Sequence, residues 1–319
     1  MAIPRPRRLQ YGGAVAIMEK TDKETIMTQK RIAAIHDISC FGRCSLTVAL
    51  PIISAAGIET SVIPTAVLST HTGGFEGFTF RDLTEDIMPV AQHWKSLGLH
   101  FDAIYTGFLG SFEQLDIVSK VIDGLKDDGT LVLVDPVMAD DGKLYGLFPD
   151  TFPMGMRVLC AKADVIVPNI TEAALLTGQV YREGPYEPAY IENLLLRLGE
   201  LGSARVVLTG VYFDDNQLGA AVYDGQCVQY AMADRVPGFY HGTGDVFGSA
   251  LLSGLLTDHS LAESALIAAE FTAGSICRTR DAATDIRYGV NFEAGLAELA
   301  QKLNSSGNVL RGRCPRAPA

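Results

Sequence analysis

Residues 241–256 read His-Gly-Thr-Gly-Asp-Val-Phe-Gly-Ser-Ala-Leu-Leu-Ser-Gly-Leu-Leu, a glycine-rich turn that runs into an apolar helix of small residues. The glycines allow the backbone to come close to a ligand. The start of the helix offers unpaired N–H groups and the positive end of the helix dipole, which together bind anions and most often phosphate. Asp245 falls in the first turn. Its carboxylate either complements the helix end or acts as a base that faces the reacting group.

Two familiar nucleotide-binding motifs do not describe this turn. The third glycine of the stretch is Gly248, whereas a dinucleotide fingerprint needs glycine at Phe247 and a strand leading directly into the turn. A P-loop is also excluded, because no Gly-Lys-Ser/Thr follows a glycine-rich run. The sequence therefore predicts a phosphate site that carries its own carboxylate.

Gly-Thr-Gly-Asp before a small-residue helix resembles the anion hole and catalytic base of the ribokinase-like kinases. From about Arg31 to Leu303 the chain is similar to the pyridoxal (vitamin B6) kinase branch of that family. The resemblance implies an α/β fold, a three-layer α/β/α sandwich with a mostly parallel central sheet and no β-sheet lid. It also implies ATP as co-substrate, Mg²⁺, and transfer of phosphate to the 5′-hydroxymethyl group of pyridoxal, pyridoxamine or pyridoxine. The sequence leaves open which vitamer is preferred and whether a monovalent cation is needed.

The resemblance assigns catalytic roles within the glycine-rich turn. In-line phosphoryl transfer needs a base for the attacking hydroxyl and oriented dipoles for the γ-phosphate charge. Asp245 is expected to accept the proton, and the N–H donors are expected to come from Gly242, Thr243 and Gly244.

The composition of the chain limits the classes of protein to which it can belong. The chain has 319 residues, of which 48% are hydrophobic and 20% charged, and no apolar run approaches the length of a membrane span. A formal net charge of −11 argues against binding to nucleic acid or to anionic membranes. The six cysteines include no Cys-x-x-Cys pair, so reduced thiols and a cytoplasmic location are expected.

The chain divides into one domain and two extensions. Residues 1–30 carry an Arg/Pro-rich start and a short apolar run, and we expect a disordered extension or an early start codon with Met27 as the true beginning. Residues 31–303 are predicted to form a single kinase domain. Residues 304–319, rich in Gly, Ser, Pro and Arg, are predicted to be a disordered tail.

Apolar strands alternate with amphipathic helices along the domain, which predicts βαβ units and a mainly parallel sheet. Polar loops follow several strands, at the sheet edge where ligands bind in such folds. Residues 37–43 are predicted to be the first of these loops, and Ser45 is predicted to cap the helix that follows. The strands are expected at 31–36, 60–68, 101–105, 130–134, 165–167 and 206–208, with a hairpin over 219–231. The helices are expected at 45–56, 83–97, 112–125, 261–278 and 292–303.

Two of these loops match nucleotide and metal elements of the family. Asn169-Ile-Thr-Glu172 reproduces an Asn-x-x-Glu element that positions Mg²⁺ through water, although Asn169 could simply cap the helix from Thr171. In the stretch Asp135–Asp140, which has Ala139 in place of a family glycine, the resemblance places Asp140 near the metal and the phosphates. A solvated acidic loop is the alternative. The resemblance further assigns ATP contacts to Tyr145, Asn169 and Thr209, beside Gly242 and Gly244.

The acceptor loops carry the clearest link to the B6 branch. His71-Thr72-Gly73 matches a loop of pyridoxal kinases, with Thr70 in place of asparagine. Phe108 matches an aromatic residue that packs on the pyridine ring, with ordinary core packing as the alternative. At Asp37 pyridoxal kinases often carry serine. We hypothesise that Asp37 pairs with a protonated ring nitrogen or an aminomethyl cation, rather than facing solvent as a loop residue.

Two other functions remain open on the sequence. Asp37 favours a hydroxymethylpyrimidine (phosphate) kinase of thiamine synthesis, which the His71-Thr72-Gly73 loop disfavours. A protein that binds a vitamer or pyridoxal phosphate without catalysis is disfavoured by the intact Gly-Thr-Gly-Asp, because a pure binder needs no base. The expected partners are small-molecule substrates and, since family members are commonly homodimers, a second copy of the chain.

Overall fold

The computed structural model describes residues 29–202 and 205–305. Most of the disorder predicted for 1–30 and 304–319 lies outside these residues. At Asn304 the prediction is wrong, because this residue is the last of a C-terminal helix. The described chain forms eleven strands: β1 Arg31–Phe41, β2 Glu59–Thr70, β3 Phe80–Asp82, β4 Ala103–Thr106, β5 Leu131–Val134, β6 Ala139–Asp140, β7 Lys143–Leu144, β8 Val165–Ile166, β9 Arg205–Val211, β10 Gln217–Tyr223 and β11 Val228–Asp234. It forms nine α-helices: α1 Leu46–Ala55, α2 Thr84–Ser96, α3 Phe112–Leu125, α4 Phe152–Cys160, α5 Ile170–Thr177, α6 Pro188–Gly199, α7 Thr243–Leu256, α8 Leu261–Asp281 and α9 Leu296–Asn304.

The central sheet has nine strands in the order β11-β10-β9-β8-β5-β4-β1-β2-β3. The six strands from β9 to β2 pair in parallel, and antiparallel strands close both edges. The remaining described strands, β6 and β7, form a separate two-stranded ribbon. The predicted mostly parallel sheet is thus confirmed, and so is the hairpin of β10 and β11.

Helices cover both faces of the sheet, and two hydrophobic clusters hold them there. Along β1, Ala33 and Ile35 belong to the cluster that includes buried residues of α2 to α6, while Ile32 and Ala34 belong to the one formed with α1, α7, α8 and α9. This alternation is the two-residue period of a strand buried on both faces. The result is the predicted three-layer α/β/α sandwich.

The order of the strands in the sheet reverses at β1, which lies between β4 and β2. In such sheets a crevice opens at the carboxyl ends of the strands where the strand order reverses. The loops after β1, β2, β4, β5 and β8 all reach this edge, and α7 begins beside it. The helices α4 and α6 are additional to those predicted. No helix in the described ranges is long and apolar enough to cross a membrane.

The first loop differs from its prediction. Residues 37–41 continue β1 and pair with β2, with a register shift between His36 and Ile38. Ser45 occupies the N-cap position of α1 as predicted, but its hydroxyl does not cap the helix and its φ is +55°. The reason lies elsewhere in the fold, because that hydroxyl is bonded to Asp37.

The helix α7 is packed too tightly at Gly248 for any side chain. A Cβ there would lie 2.4 Å from the hydroxyl oxygen of Tyr105. Tyr105 is fully buried in the sheet and has no free space in which to move away. Gly124 in α3 makes a matched comparison, because a Cβ there would meet nothing within 4 Å.

We therefore expect Gly248→Ala to lower the free energy of unfolding by about 1–3 kcal/mol, the usual cost of overpacking. Gly124→Ala should leave it unchanged or raise it by up to about 1 kcal/mol, because alanine favours a helix over glycine. Urea denaturation of both variants measures the difference. Equal stability of the two variants would contradict the packing described for α7.

Candidate active site

The glycine-rich turn forms the start of α7. Gly242 is its N-cap, with φ of +76°, and a Cβ at this position would lie 2.1 Å from the carbonyl oxygen of Arg43. Only glycine fits such an approach. Gly244 is exposed, and a Cβ there would meet nothing within 4 Å. No side chain caps the first turn of α7 and space is open beside Gly244, as an anion site requires.

Asp245 lies in the first turn of α7 and is held through one oxygen only. Its Oδ2 accepts hydrogen bonds from the Ser45 N–H at 2.8 Å and from the Cys44 thiol at 3.3 Å. No described residue donates to Oδ1. Burial, followed by the nearby charge of Asp37, raises the pKa of Asp245 to about 6, against the stabilising hydrogen bond from Ser45. Asp245 thus combines a fixed orientation with one oxygen available to a ligand.

Asp37 is buried beneath the same loop, with 4% of its surface exposed. Its Oδ1 accepts a hydrogen bond from the Ser45 hydroxyl, and its Oδ2 accepts one from the Ser39 hydroxyl at 3.1 Å. Burial raises the pKa of Asp37 while these two hydroxyls lower it. The idea that it faces solvent is wrong, and its contact with a substrate stays a prediction.

Asn169 and Glu172 form a capping box at the start of α5. The Asn169 side chain accepts from the Glu172 N–H at 2.9 Å, and Glu172 Oε2 accepts from the Asn169 N–H at 2.9 Å. Glu172 Oε1 also accepts from the Met138 N–H at 3.1 Å, and Asn169 Nδ2 donates to the Ala139 carbonyl at 2.9 Å. The capping alternative is therefore confirmed, with α5 beginning at Ile170. The same bonds fix the segment after β5 against α5.

Asp135 is a buried carboxylate to which sequence reasoning gave no role. It directly follows β5, is 8% exposed, and accepts no hydrogen bond from any described residue. Burial, followed by the charges of Glu172 and Asp245, raises its pKa well above the usual value. Its position directly after a buried strand and before Pro136 was a usable signal. Asp140, to which the role was given, is partly exposed at the end of β6 and accepts from the Asp141 N–H at 2.9 Å.

These carboxylates fit a hydrated magnesium ion better than a stripped one. No three His, Cys, Asp or Glu side chains in the described ranges are arranged to ligate one ion directly. Magnesium commonly keeps several waters and binds through one or two carboxylates and substrate phosphates. Asp135 receives no hydrogen bond from a described donor, and its pKa is raised. It is therefore the carboxylate whose charged form a nearby cation would stabilise most.

The loop that follows β2, residues 71–73, is called the acceptor loop, and it packs against the start of α7. The rings of His71 and His241 lie 5.2 Å apart, and a Cβ on Gly73 would lie 2.7 Å from the His241 ring. Both nitrogens of His71 are engaged, because Nε2 bonds the Arg287 carbonyl at 2.6 Å and Nδ1 accepts from the Gly73 N–H at 3.1 Å. His71 therefore shapes the loop, while Thr72 is exposed on it.

Aromatic residues surround this loop, and the sequence reasoning missed most of them. Phe75 and Tyr288 stack with ring centroids 6.3 Å apart, and Phe41 lies edge-on to Tyr288 at 5.0 Å. The run of aromatics directly after Gly73-Gly74 was the available signal. Phe108, which was predicted, is half-buried and lies 5.9 Å from Phe148, so its packing contact is the one observed.

The two remaining predicted ATP residues lie at the same edge of the sheet. Thr209 on β9 forms an isolated bridge with Asn169, and its hydroxyl donates to the Pro168 carbonyl at 3.3 Å. Tyr145 follows β7 and is 38% exposed, and partial burial raises its pKa. Thr209 is thus directly beside the α5 cap. The Tyr145 N–H donates to the Met138 carbonyl at 2.9 Å, and the Met138 N–H in turn donates to Glu172 in that cap.

The sequence and the fold match those of known proteins. A family model described as phosphomethylpyrimidine kinase matches residues 50–289. A crystal structure of a candidate phosphomethylpyrimidine kinase from Bacteroides thetaiotaomicron, in a form with pyridoxal, is 34% identical with a TM-score of 0.79, covering 88% of this chain and 98% of that one. The pyridoxal kinase of Lactobacillus plantarum is 33% identical with a TM-score of 0.78, covering 85% and 97%. A hydroxymethylpyrimidine/phosphomethylpyrimidine kinase of Rhizobium meliloti (strain 1021) is 25% identical over 236 residues, covering 74% and 86%.

Asp135 gives a prediction for the stability of the ligand-free protein. Because its pKa is raised in the folded state, the folded protein holds this proton to higher pH than the unfolded chain. Stability is thus lost as the pH rises from the ordinary carboxyl pKa toward the raised one. Asp135→Asn should therefore increase the free energy of unfolding at pH 8 by on the order of 1 kcal/mol, with little effect at pH 4.

Urea denaturation at the two pH values tests this prediction, with Asp128→Asn as the control. Asp128 is exposed in the turn before β5 and makes no hydrogen bond or ion pair with a described residue. A loss of stability in Asp135→Asn at pH 8 would show that the carboxylate is compensated in a way the structure does not contain.

Proposed function

We propose that this chain, which belongs to the phosphomethylpyrimidine kinase family, transfers the γ-phosphate of ATP to the 5′-hydroxymethyl group of a B6 vitamer. The supporting observation is the placement of Asp245. It is a carboxylate with one free oxygen, set in the first turn of a helix whose glycine-lined N-terminus is open to an anion. A pure binding protein would have no use for a partly desolvated base at that place.

In the proposed reaction Asp245 accepts the proton of the attacking hydroxyl. The hydroxyl oxygen then bonds to the γ-phosphorus while the bond from that phosphorus to the β,γ-bridging oxygen breaks, which yields ADP and the vitamer phosphate. The N–H groups of the turn 242–244 meet the charge on the transferred group. Because Asp245 is fixed through Oδ2, its Oδ1 is the atom expected to take the proton.

The remaining residues are proposed to hold the two substrates. ATP is expected over the loops that carry Tyr145, Asn169 and Thr209, beside Gly242 and Gly244. The vitamer ring is expected between the His71-Thr72 loop and Phe108. Asp135 joins Asp140 and Glu172 as a candidate to hold hydrated Mg²⁺, which would neutralise phosphate charge during transfer.

A hydroxymethylpyrimidine kinase is the second candidate. The description of the family model and the Rhizobium meliloti relative favour it. The B6 assignment is supported by the 33% identity to the Lactobacillus plantarum pyridoxal kinase and by the Bacteroides thetaiotaomicron structure, which is described as a phosphomethylpyrimidine kinase but contains pyridoxal. Both acceptors are flat heteroaromatic rings with a hydroxymethyl group, so the proposed mechanism serves either one.

The deciding experiment measures ADP release with Mg·ATP in the presence of pyridoxal, pyridoxamine, pyridoxine, hydroxymethylpyrimidine or ribose. We expect turnover on at least one B6 vitamer and a loss of about 10²–10⁴ in kcat for Asp245→Ala, the usual cost of removing a general base. Asp128 precedes the amino end of β5, whereas the site lies at the carboxyl ends of the strands. Asp128→Ala should therefore leave kcat at the wild-type value. Turnover on the pyrimidine alone would assign the second candidate, and vitamer binding without turnover would indicate a binding protein.

The acid side of the pH profile follows from Asp245. Its pKa is raised to about 6, and the protonated form cannot accept the hydroxyl proton. We therefore expect kcat/KM for the vitamer to fall about tenfold per pH unit below pH 6. The vitamers and ATP also titrate, so the profile is measured for pyridoxal and pyridoxamine at saturating Mg·ATP, where an acid limb shared by both vitamers is assigned to the enzyme. A flat profile for both vitamers between pH 5 and 8 would contradict Asp245 as the base.

A further inference from the structure

We infer that Asp37 is a positioning residue, which acts on Asp245 through Ser45 and does not bind the acceptor itself. Asp37 holds the Ser45 hydroxyl, this bond keeps the Ser45 backbone in its unusual conformation, and that conformation aims the Ser45 N–H at Asp245. The inference rests on the proposed function only in giving Asp245 the role of base.

Ser45 has an unusual backbone conformation. Its φ of +55° lies in the left-handed region, which residues with a side chain rarely adopt and which costs free energy unless the surroundings hold it. Its carbonyl accepts from the Val48 and Ala49 N–H groups of α1 at 3.0 and 2.9 Å, and two further contacts tie the residue to β1. The backbone forms an isolated antiparallel bridge with Ile38, and the hydroxyl donates to Asp37 Oδ1. Since Asp37 is 4% exposed and sits at the irregularity of β1, its carboxylate is itself fixed.

The conformation of Ser45 directs two hydrogen-bond donors at Asp245. The Ser45 N–H lies 2.8 Å from Asp245 Oδ2, across 200 positions of sequence. The neighbouring Cys44 thiol donates to the same oxygen at 3.3 Å, and burial together with the Asp245 charge raises the pKa of this thiol, so the proton stays on sulfur. Both donors come from one strained turn. If that turn relaxes, both are withdrawn, and a displacement of about 1 Å can cost about a hundredfold in rate.

Asp37 has little hydrogen-bonding capacity left for a substrate. Each of its two oxygens already accepts a hydrogen bond from a serine hydroxyl, and those hydroxyls belong to β1 and to the turn before α1. A ring nitrogen or an aminomethyl cation would have to share these oxygens. The observed bonds therefore favour an internal role for Asp37 over the ion pair hypothesised from the sequence.

The test compares Asp37→Ala, Asp37→Asn and the double variant Asp37→Ala/Ser45→Gly. Asparagine keeps an acceptor for the Ser45 hydroxyl without the charge. Glycine at position 45 adopts a positive φ without strain and keeps the N–H. We expect Asp37→Ala to lower kcat by about 10- to 100-fold with little change in KM for the vitamer. Asp37→Asn and the double variant should each recover at least tenfold of that loss.

A direct substrate role for Asp37 gives the opposite pattern. Asp37→Asn would then raise KM for the cationic vitamer as much as Asp37→Ala does, and glycine at position 45 would recover nothing. Either result overturns the inference. Circular dichroism and thermal unfolding establish that each variant is folded before its kinetics are compared.

A second measurement needs no catalysis and separates this inference from the proposed function. The amide proton of residue 45, followed by NMR in the full chain, should resonate downfield because it donates to a carboxylate. It should move upfield in Asp245→Asn and in Asp37→Ala, and return downfield in the double variant. If the wild-type protein phosphorylates none of the five acceptors, the proposed function fails, whereas an amide unchanged in Asp37→Ala overturns the positioning role.

Discussion

Buried negative charge at one edge of the sheet is the constraint on which the site depends. Asp37, Asp135, Glu172 and Asp245 come from four separate segments, and burial raises the pKa of every one of them. Carboxylates in such surroundings persist only where donors or cations compensate them. No described lysine or arginine forms an ion pair with any of the four. The compensation comes instead from backbone N–H groups, serine hydroxyls, a thiol and the N-terminus of α7.

This compensation is uneven, and the unevenness gives the groups different roles. Glu172 receives two backbone N–H groups, and Asp37 receives two hydroxyls, so both are anchored internally. Asp245 is anchored through one oxygen, and Asp135 has no hydrogen bond from a described donor. In the proposed reaction these two groups, which have unmet hydrogen-bonding capacity, are the ones that would face a proton or a cation from outside the protein. An acceptor hydroxyl for Asp245 and a hydrated divalent ion for Asp135 would meet that need.

Local patterns in the sequence predicted the layers of the fold but only part of the site. The helix over 112–125 and the hairpin of β10 and β11 follow from periodicity and turn residues within a short window. The bond between Asp37 and Ser45, and the bond between Ser45 and Asp245, depend on tertiary contacts that no window contains. For the same reason Ser45 was mistaken for an ordinary helix cap. At Glu172 the capping pattern and the metal-binding pattern share the same residues and can both hold, so the observed cap leaves the metal role a prediction.

The glycines of the site serve close approach more than flexibility. A Cβ on Gly242 would meet the Arg43 carbonyl at 2.1 Å, and a Cβ on Gly73 would meet the His241 ring at 2.7 Å. The start of α7 therefore approaches the turn before α1 backbone to backbone, and it meets the acceptor loop after β2 through the His241 ring. Interfaces packed in this way do not deform gradually. A change that moves the acceptor loop must also move the start of α7 and Asp245, so in the proposed reaction acceptor choice and phosphoryl transfer would be coupled through these contacts.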